Sequence, residues 1–512
     1  MDYIGKFFKN NKWYLIGMFF ITVIYFAVRL PNLTYQPIFA DEAIYIRWAQ
    51  VMKAEPTLRF LPLSDGKTPL FMWAMMPLFK VFEDPLFAGR ILSVFSGFGS
   101  LLGLTFIGTY FVNKRVGLWT AFLVAITPYF VFFDRMALVD SMLAAFSIWS
   151  VAVALLLIRF PRIDLAMLLG YLMGGALLTK TPAFFTVVTM PLSVLVFNFK
   201  KIGREKRIIQ LFMLWIVAIV ICVGIYNILR LGPGFSNLNS RNQDYVLSPM
   251  MLLVRPWDPF IPHFNDLKEW FPPLLGWGVL IGLAWGVLQT FRSKHIYLAA
   301  LLLFSLIPLG IEMALLKTFT ARYILFPVTY LIVIASFGID NLVTRLSKIF
   351  SAKTVVSVVV LLLVVWPAYY IFLLHTNLEK APLPRAERNG YLEEWTAGYG
   401  LKEIADYLIE ESKKEDIVVT TEGSFGTLPD GLQIYVDKVS AIAVVGGGSS
   451  ISASYVQTAK EHPTYFVANR SGEDKFGKHL ELVKEFPKIR SVTGKQESTV
   501  LFKVNYWEEP AY

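Results

Sequence analysis

The sequence contains little cysteine and little charge. Its 512 residues include one cysteine, Cys222, and only 17% of them are charged. A single cysteine excludes an internal disulfide framework and a metal site built from cysteines. Soluble domains are about 25% charged, so the shortage of charge argues against a soluble protein. The 55% hydrophobic content and the mean hydropathy of +0.53 predict a membrane protein instead.

The charge is also unevenly distributed. Residues 376–512 hold 16 Lys and Arg and 21 Asp and Glu, a net charge of −5. Subtracted from totals of 48 and 38, these leave 32 basic and 17 acidic residues, or +15, in residues 1–375. The basic residues border apolar runs, as the positive-inside bias of membrane proteins predicts, so we expect no nucleic-acid partner.

Eleven apolar runs approach the roughly 20 residues that a membrane-spanning helix needs. They cover approximately residues 13–30, 86–112, 117–133, 140–158, 164–179, 183–199, 208–230, 272–291, 296–316, 321–339 and 354–375. The first run is flanked by lysines and lacks a small-residue cleavage site, so we expect a retained span rather than a signal peptide. A further run, from Thr68 to Phe82, contains two prolines and is too short to span.

The connections between the runs predict the orientation. If the short run does not span, the basic connections lie on the same side as the N-terminus. These connections contain Lys114, Arg115, Arg159, Arg162, Lys200, Lys201, Arg204, Lys206, Arg207, Arg292, Lys294, Arg345, Lys348 and Lys353. The positive-inside rule then places the N-terminus in the cytoplasm. The first loop (31–85), the 231–271 loop and the C-terminal region face outward.

The composition changes at about residue 376. The segment LKEIADYLIEESKKEDIVVTTEG is typical of an amphipathic helix followed by a β-branched strand. Thr464–Val467 and Thr499–Val504 predict further strands. We therefore predict a helical transmembrane domain over residues 1–375 and an extracytoplasmic α/β domain over residues 376–512.

Charged residues at outward span ends are candidate functional groups, because polar groups are costly in lipid. In the first loop, Asp41 and Glu42 begin a helical pattern that places Ile44 and Trp48 on one face. This pattern predicts an amphipathic helix at the membrane surface. Capping of that helix by Asp41 would explain one carboxylate but not the pair.

Basic residues at outward ends are less expected under the positive-inside rule. They are Lys67, Lys180, Lys317 and Arg322, and the short segment FFDRMALVDSM adds Asp134, Arg135 and Asp140. Lys67 precedes an apolar segment, where it either extends to water or holds the phosphate of a lipid. Together, the basic residues suggest an anionic head group in the outer leaflet.

Five motifs, spread over roughly residues 10–340, resemble a known family by their order and spacing. They are DEAIY, KTPLF…FKVF, AGRILSVFSG, DRMALVDSM and ARYILFPV. The chain resembles the dolichyl-phosphate-mannose protein mannosyltransferase superfamily, including the bacterial branch that transfers 4-amino-4-deoxyarabinose to lipid A. The resemblance implies a GT-C fold with about eleven transmembrane helices and a polyprenyl-monophosphate sugar as donor. It also implies an acidic catalytic residue in the first outward loop.

The resemblance assigns roles to individual residues. Asp41 matches the catalytic acidic position, and Glu42 is its neighbour. Lys67 matches the lysine that holds the lipid phosphate in the aminoarabinose branch, and Asp140 matches a second acidic position in the same cavity.

Two positions depart from that branch. Ile44 stands where the branch has a basic residue, and Gly66 stands where it has an acidic residue that helps to bind a metal. These departures weaken the case for lipid A as acceptor and for a bound zinc ion. We assign no cofactor, although the sequence leaves a divalent metal open.

The chemistry of such a donor sets two tasks. The departing phosphate needs no protonation, so the protein must take a proton from the acceptor hydroxyl and stabilise charge on the phosphate. We predict Asp41 as general base, with Glu42 or Asp140 orienting the acceptor or the sugar, and with inversion at the anomeric carbon. The predicted donor phosphate-binding residues are Lys67, Arg135 and Arg322.

Several alternatives stay open at this point. The acceptor can be a hydroxyl of a protein, a lipid or a glycan, and the C-terminal domain either recognises it or packs on the first loop. A different class is a polyprenyl-linked sugar transporter or flippase. Transporters usually place charges near the midplane in repeated halves, whereas these charges gather at span ends and no repeat is visible.

Overall fold

The structure is a computed structural model that describes residues 2–199, 203–255, 257–448, 451–469 and 480–506. The described residues separate into two compact units. The first unit contains the residues up to Pro31, Arg59–Phe71 and Ile91–Thr376. The second unit contains Asn32–Leu58, Met72–Arg90 and the residues from Asn377 onward.

Helices dominate the chain before residue 377. They are α1 (Asp2–Ala27), α2 (Ala40–Ala54), α3 (Leu70–Met75), α4 (Pro85–Ile107), α5 (Lys114–Ile126), α6 (Pro128–Asp134), α7 (Asp140–Arg159), α8 (Ile163–Thr179), α9 (Phe184–Thr189), α10 (Arg204–Tyr226), α11 (Asn237–Tyr245), α12 (Met251–Val254), α13 (Phe260–Leu275), α14 (Trp277–Arg292), α15 (Ile296–Leu315), α16 (Leu325–Leu346) and α17 (Ala352–Thr376).

Many of these helices can cross a membrane. Within the described ranges, six are long and apolar enough on their own, and eight spans result if two bent helix pairs each count as one. The six are α4, α7, α10, α15, α16 and α17, and the pairs are α5 with α6 and α13 with α14. The other three predicted runs form shorter apolar helices. Every predicted apolar run is thus helical, and the protein is an integral membrane protein.

The run predicted over 272–291 is not one straight helix. Helices α13 and α14 meet at an angle of 113°. Pro272 and Pro273 lie in the last turn of α13, and Gly276, which follows the helix, has a φ of 81°, a conformation that residues with a side chain rarely adopt. The indole of Trp366 donates a hydrogen bond of 2.9 Å to the Pro273 carbonyl, which gives this interrupted backbone a partner.

Glycines bring α14 and α16 into close contact. A Cβ on Gly338 would lie 2.0 Å from the Gly282 carbonyl oxygen, and one on Gly286 would lie 2.1 Å from that of Ile334. Small residues allow this backbone approach between helices in membranes. The contact fixes α16, whose first residue closely follows Arg322 and Tyr323 in the chain.

The second unit combines two parts of the chain that are far apart in sequence. Its helices after residue 376 are α18 (Arg385–Arg388), α19 (Leu401–Ser412), α20 (Asp430–Val436) and α21 (Ala453–Thr458). Its strands are β1 (Ile38–Phe39), β2 (Ala397–Gly398), β3 (Ile417–Thr421), β4 (Ile442–Gly446), β5 (Thr464–Ala468), β6 (Leu480–Pro487) and β7 (Ser498–Val504). The predicted helix and strands of the C-terminal region are therefore confirmed.

The larger sheet has the strand order β4-β3-β5-β7-β6. Strand β3 pairs in parallel with β4 and β5, and β7 pairs antiparallel with β5 and β6. Strand β5 is buried along its whole length, as expected for a central strand covered on both faces. Strands β1 and β2 form a separate antiparallel pair that joins the first loop to the C-terminal region.

Candidate functional site

Asp41 and Glu42 lie in the first turn of α2. The residue that precedes the helix is Phe39, and its backbone N–H donates a 3.0 Å hydrogen bond to Glu42 Oε2. Glu42 therefore supplies the side chain of the capping box, and Asp41 lies between the cap residue and Glu42 in the first turn. Asp41 is partly exposed, whereas its neighbours Ala40, Glu42 and Ala43 are buried.

Glu42 forms a buried ion pair with Arg90. Arg90 Nε donates to Glu42 Oε1 at 2.9 Å, and Arg90 Nη2 donates to Oε2 at 2.8 Å. Both side chains are completely inaccessible to solvent. Tyr435 of α20 lies in the same environment: burial raises the pKa of its hydroxyl, and Glu42 and Arg90 are among the charges that act on it. Two-point pairing of this kind fixes the orientation of the carboxylate as well as its position.

Arg90 also holds the backbone that leads into α2. Its guanidinium donates to the carbonyls of Leu33 at 2.9 Å, Gln36 at 2.9 Å and Pro37 at 3.1 Å. One buried side chain thus fixes the segment before the helix and the carboxylate next to Asp41. Arg90 belongs to the AGRILSVFSG motif, and nothing in the sequence alone indicated that it pairs with Glu42.

Helix α2 is buried on more than one side. Ile44 and Trp48 are buried, as predicted, but Ile46 and Gln50 on other sides of the helix are buried too. Burial is therefore not confined to the predicted apolar face of α2. Helix α2 packs against α20, and Gln50 donates to the Ile434 carbonyl at 2.9 Å.

The backbone before α2 pairs with the C-terminal region. Ile38 is opposite Gly398 and Phe39 is opposite Ala397 in the β1–β2 pair. The Ala40 N–H then donates to the Thr396 carbonyl at 2.9 Å. Within the second unit, the C-terminal region therefore supports the turn that carries Asp41.

The charged residues of FFDRMALVDSM do not form one cluster. In the first unit, Asp134 Oδ2 accepts a 2.9 Å hydrogen bond from Arg29 Nε, and Asp134 Oδ1 accepts one of 2.8 Å from Ser141. Arg29 also donates to the carbonyls of Ala125 and Val124. This buried pair has its hydrogen-bonding groups satisfied, as expected for a structural role.

Gly97 makes room for this ion pair, so substituting it should disturb α4 and α6 together. A Cβ at this position would lie 2.2 Å from Asp134 Cγ. We expect Gly97→Ala to lower the unfolding temperature in detergent, because overpacking of a tight interior typically costs about 1–3 kcal/mol. Gly310→Ala is a matched control, since its Cβ would meet nothing within 4 Å. Equal unfolding temperatures for the two variants would contradict the packing.

Arg135 faces backbone at the end of α1. Its Nη1 donates to the carbonyls of Arg29 at 2.7 Å and Pro31 at 2.9 Å, and it lies 3.5 Å from His375 Nε2. The side chain is 4% exposed. These contacts anchor the C-terminal end of α1, which also accounts for a buried arginine at this position.

Asp140 and Arg322 are linked through two other side chains. Lys180 donates a 2.6 Å hydrogen bond to Asp140 Oδ1, and its ammonium lies 4.2 Å from the ring centre of Tyr323. The guanidinium of Arg322 lies 5.2 Å from the same ring. The first unit thus brings Asp140, Lys180 and Arg322 together around one aromatic ring.

Lys67 belongs to a second charged group of the first unit. Its ammonium lies 3.4 Å from Asp65 Oδ2, and Arg241 Nη2 lies 3.6 Å from Asp65 Oδ1. Gly66 between them has a φ of 63°, and a Cβ there would lie 2.4 Å from Arg241 Cβ. An acidic side chain at position 66 would therefore be strained, which explains one departure from the aminoarabinose branch.

The structure thus distributes the predicted site residues over both units. Asp41 and Glu42 lie in the second unit, while Lys67, Arg135, Asp140 and Arg322 lie in the first. Across the described ranges, no group of three or more His, Cys, Asp and Glu side chains is placed to hold a metal ion. Glu42 and Asp140 are each paired with a cationic side chain, Arg90 and Lys180 respectively.

Nearly the whole chain is similar in structure to two proteins of known structure. ArnT from Cupriavidus metallidurans in the apo state matches 97% of this chain and 98% of its own, with 13% identity and a TM-score of 0.58. The same protein bound to undecaprenyl phosphate gives a TM-score of 0.57 at 13% identity over 96% of this chain and 98% of its own. The oligosaccharyltransferase AglB from Archaeoglobus fulgidus, in complex with an inhibitory peptide and a dolichol-phosphate, matches 98% of this chain and 75% of its own, with 12% identity and a TM-score of 0.52. The chain has the GT-C fold, as predicted.

A family match agrees with this fold. Residues 66–226 match the dolichyl-phosphate-mannose-protein mannosyltransferase family, a segment that includes Lys67, Arg90, Asp140 and Lys180. The resemblance to this superfamily is confirmed. No match was found among curated protein sequences.

Proposed function

We propose that the protein is a membrane glycosyltransferase that moves a sugar from a polyprenyl-monophosphate donor to an acceptor hydroxyl at the extracytoplasmic face. The observation that carries the proposal is the turn around Asp41, where one partly exposed carboxylate stands among buried residues. The matches to the GT-C fold and to the mannosyltransferase family support the same reaction class. ArnT bound to undecaprenyl phosphate supports a lipid phosphate as the carrier.

Asp41 acts as the general base in this mechanism. It takes the proton of the acceptor hydroxyl as that oxygen attacks the anomeric carbon, and the bond to the donor phosphate breaks. Direct displacement inverts the anomeric carbon. Arg90 binds both carboxylate oxygens of Glu42, so Glu42 has no oxygen left for a substrate. We therefore assign Glu42 to positioning the turn that carries Asp41.

Cationic residues of the first unit stabilise the leaving phosphate. Lys67 is 22% exposed, so its ammonium can reach a lipid head group. Arg322 is also partly exposed, whereas Arg135 donates to backbone carbonyls and contributes its field from a buried position. Preorganised cations of this kind are a large source of transition-state stabilisation.

A transfer assay tests the proposal. Protein purified in detergent receives radiolabelled polyprenyl-phosphate mannose, and then polyprenyl-phosphate aminoarabinose, together with membrane extract. We expect label to move to an acceptor and polyprenyl phosphate to be released. Binding of both lipids without any release would contradict a transferase and would support a transporter instead. A product with retained anomeric configuration would contradict the single-displacement mechanism.

We expect Lys67→Ala to raise the KM for the lipid donor by about tenfold or more, because hydrogen bonds to charged groups contribute about 1.5–3 kcal/mol. The preference among acceptors should stay unchanged, since Lys67 is assigned to the donor phosphate. The measurement is donor and acceptor kinetics of the variant beside Lys317→Ala, a lysine at another predicted outward end. A changed acceptor preference with unaltered donor KM would contradict the phosphate role.

A further inference from the structure

The first unit contains a buried carboxylate that the proposed mechanism does not use. Glu312 lies in the last turn of α15 and is 2% exposed. Neither of its carboxylate oxygens accepts a hydrogen bond from any residue that the structure describes. Acidic residues inside membrane-spanning helices are costly and usually mark function, so this side chain requires an explanation.

The charged side chains that act on Glu312 are Lys180 and Asp140. Asp140 begins α7, Lys180 directly follows α8, and Glu312 lies in the last turn of α15. Lys180 gives one hydrogen bond to Asp140 at 2.6 Å, and an ammonium has three N–H donors. Glu312 can therefore accept hydrogen bonds from a ligand, and Lys180 can donate further hydrogen bonds to it.

This combination selects a class of ligand. A small anion can accept from Lys180 but has no group that donates to Glu312, and a metal cation has no group that accepts from Lys180. A neutral group with several hydroxyls suits both, because each hydroxyl can donate to a carboxylate and accept from an ammonium. Carbohydrates have this property at adjacent ring positions.

We propose that Asp140, Lys180 and Glu312 form a subsite for the hydroxyl groups of the transferred sugar, with Glu312 as their main hydrogen-bond acceptor. This inference rests on the proposed function, since it assigns the sugar of the lipid donor to the cluster. It gives Glu312 a role in sugar recognition, and it gives Lys180, which already donates to Asp140, a second acceptor in the sugar.

A binding comparison tests the subsite without requiring turnover. Full-length protein in detergent is titrated with polyprenyl-phosphate mannose and with sugar-free polyprenyl phosphate, and the ratio of the two affinities measures recognition of the sugar. We expect Glu312→Leu to reduce that ratio by about 10- to 100-fold, the range for a lost hydrogen bond to a charged group. Affinity for the sugar-free lipid should be unchanged. Glu312→Gln, which keeps one accepting oxygen, should retain part of the ratio.

Thermal unfolding separates recognition from a structural role. A buried carboxylate without partners destabilises the fold, so we expect Glu312→Leu to unfold at the same or a higher temperature than the wild type. Glu205→Gln, an exposed acidic residue at the start of α10, is the matched control for removing one negative charge. It should change neither the affinity ratio nor the unfolding temperature.

The outcomes are distinct. Equal affinity of the wild type for the two lipids, or an unchanged ratio in Glu312→Leu, would overturn the subsite. So would a parallel loss of affinity for both lipids together with a lower unfolding temperature. Absence of transfer in the wild type, combined with a Glu312-dependent affinity ratio, would overturn the transferase and leave the sugar subsite standing.

Discussion

Asp41→Asn should lower the rate of sugar transfer by about 10²–10⁴-fold, the usual contribution of general-base catalysis. The amide has nearly the same size as the carboxylate but cannot accept a proton at neutral pH. Because Glu42 rather than Asp41 caps α2, the substitution should leave the helix and the unfolding temperature unchanged. Transfer of radiolabel by wild type and variant at saturating donor measures the effect.

Two controls make the Asp41 result specific. Glu55→Gln removes a carboxylate at the opposite end of α2, where Glu55 interacts with Thr57, and should transfer at the wild-type rate. Binding of sugar-free polyprenyl phosphate should be the same in all three proteins. Near-normal turnover of Asp41→Asn would show that Asp41 is not the general base. Loss of lipid binding in this variant would indicate that the turn is misfolded.

Arg90→Met should be the most destabilising single substitution at the site. It leaves Glu42 buried without its partner, and breaking a buried ion pair in this way typically costs about 3–5 kcal/mol. It also removes the donors to three backbone carbonyls before α2. We expect a clear fall in the unfolding temperature and loss of transfer, measured on protein in matched detergent.

The double variant Glu42→Met with Arg90→Met should regain part of the stability. Replacing both members of a buried pair by apolar residues is often close to neutral, because no uncompensated charge remains. Transfer should stay low, since the backbone leading to Asp41 has still lost Arg90. If the double variant is no more stable than Arg90→Met alone, the broken ion pair is not the cause of the lower unfolding temperature of Arg90→Met.

The apolar runs and the C-terminal strands were predictable from sequence, because their hydrophobic patterns are long and regular. The turn around Asp41 was also predictable, since Pro37 and the paired carboxylates mark a helix start. The partner of Glu42 was not predictable from sequence, because Arg90 is 48 positions away and only the folded chain brings the two side chains together. The additional burial of α2 was not predictable, because the helix that covers it, α20, lies about 390 positions later.

Glu312 shows a signal that the sequence does contain. It is an acidic residue inside the apolar run SLIPLGIEMALLK, where a charge is costly and therefore indicates a functional role. Its partners could not be predicted, because Asp140 and Lys180 belong to other helices and neighbouring span ends cannot be ordered from one sequence. Gly66 is a similar case: its positive φ and its contact with Arg241 depend on α11.

The β1–β2 pair sets the earliest time at which the turn around Asp41 can be complete. The backbone before Asp41 pairs with residues 397 and 398, which are made about 356 positions later. At about 5–20 residues per second, the ribosome needs roughly 20–70 s to reach them. Throughout that interval the turn that carries Asp41 lacks its backbone partner in the C-terminal region. A chain that ends before β2 can therefore never complete this turn.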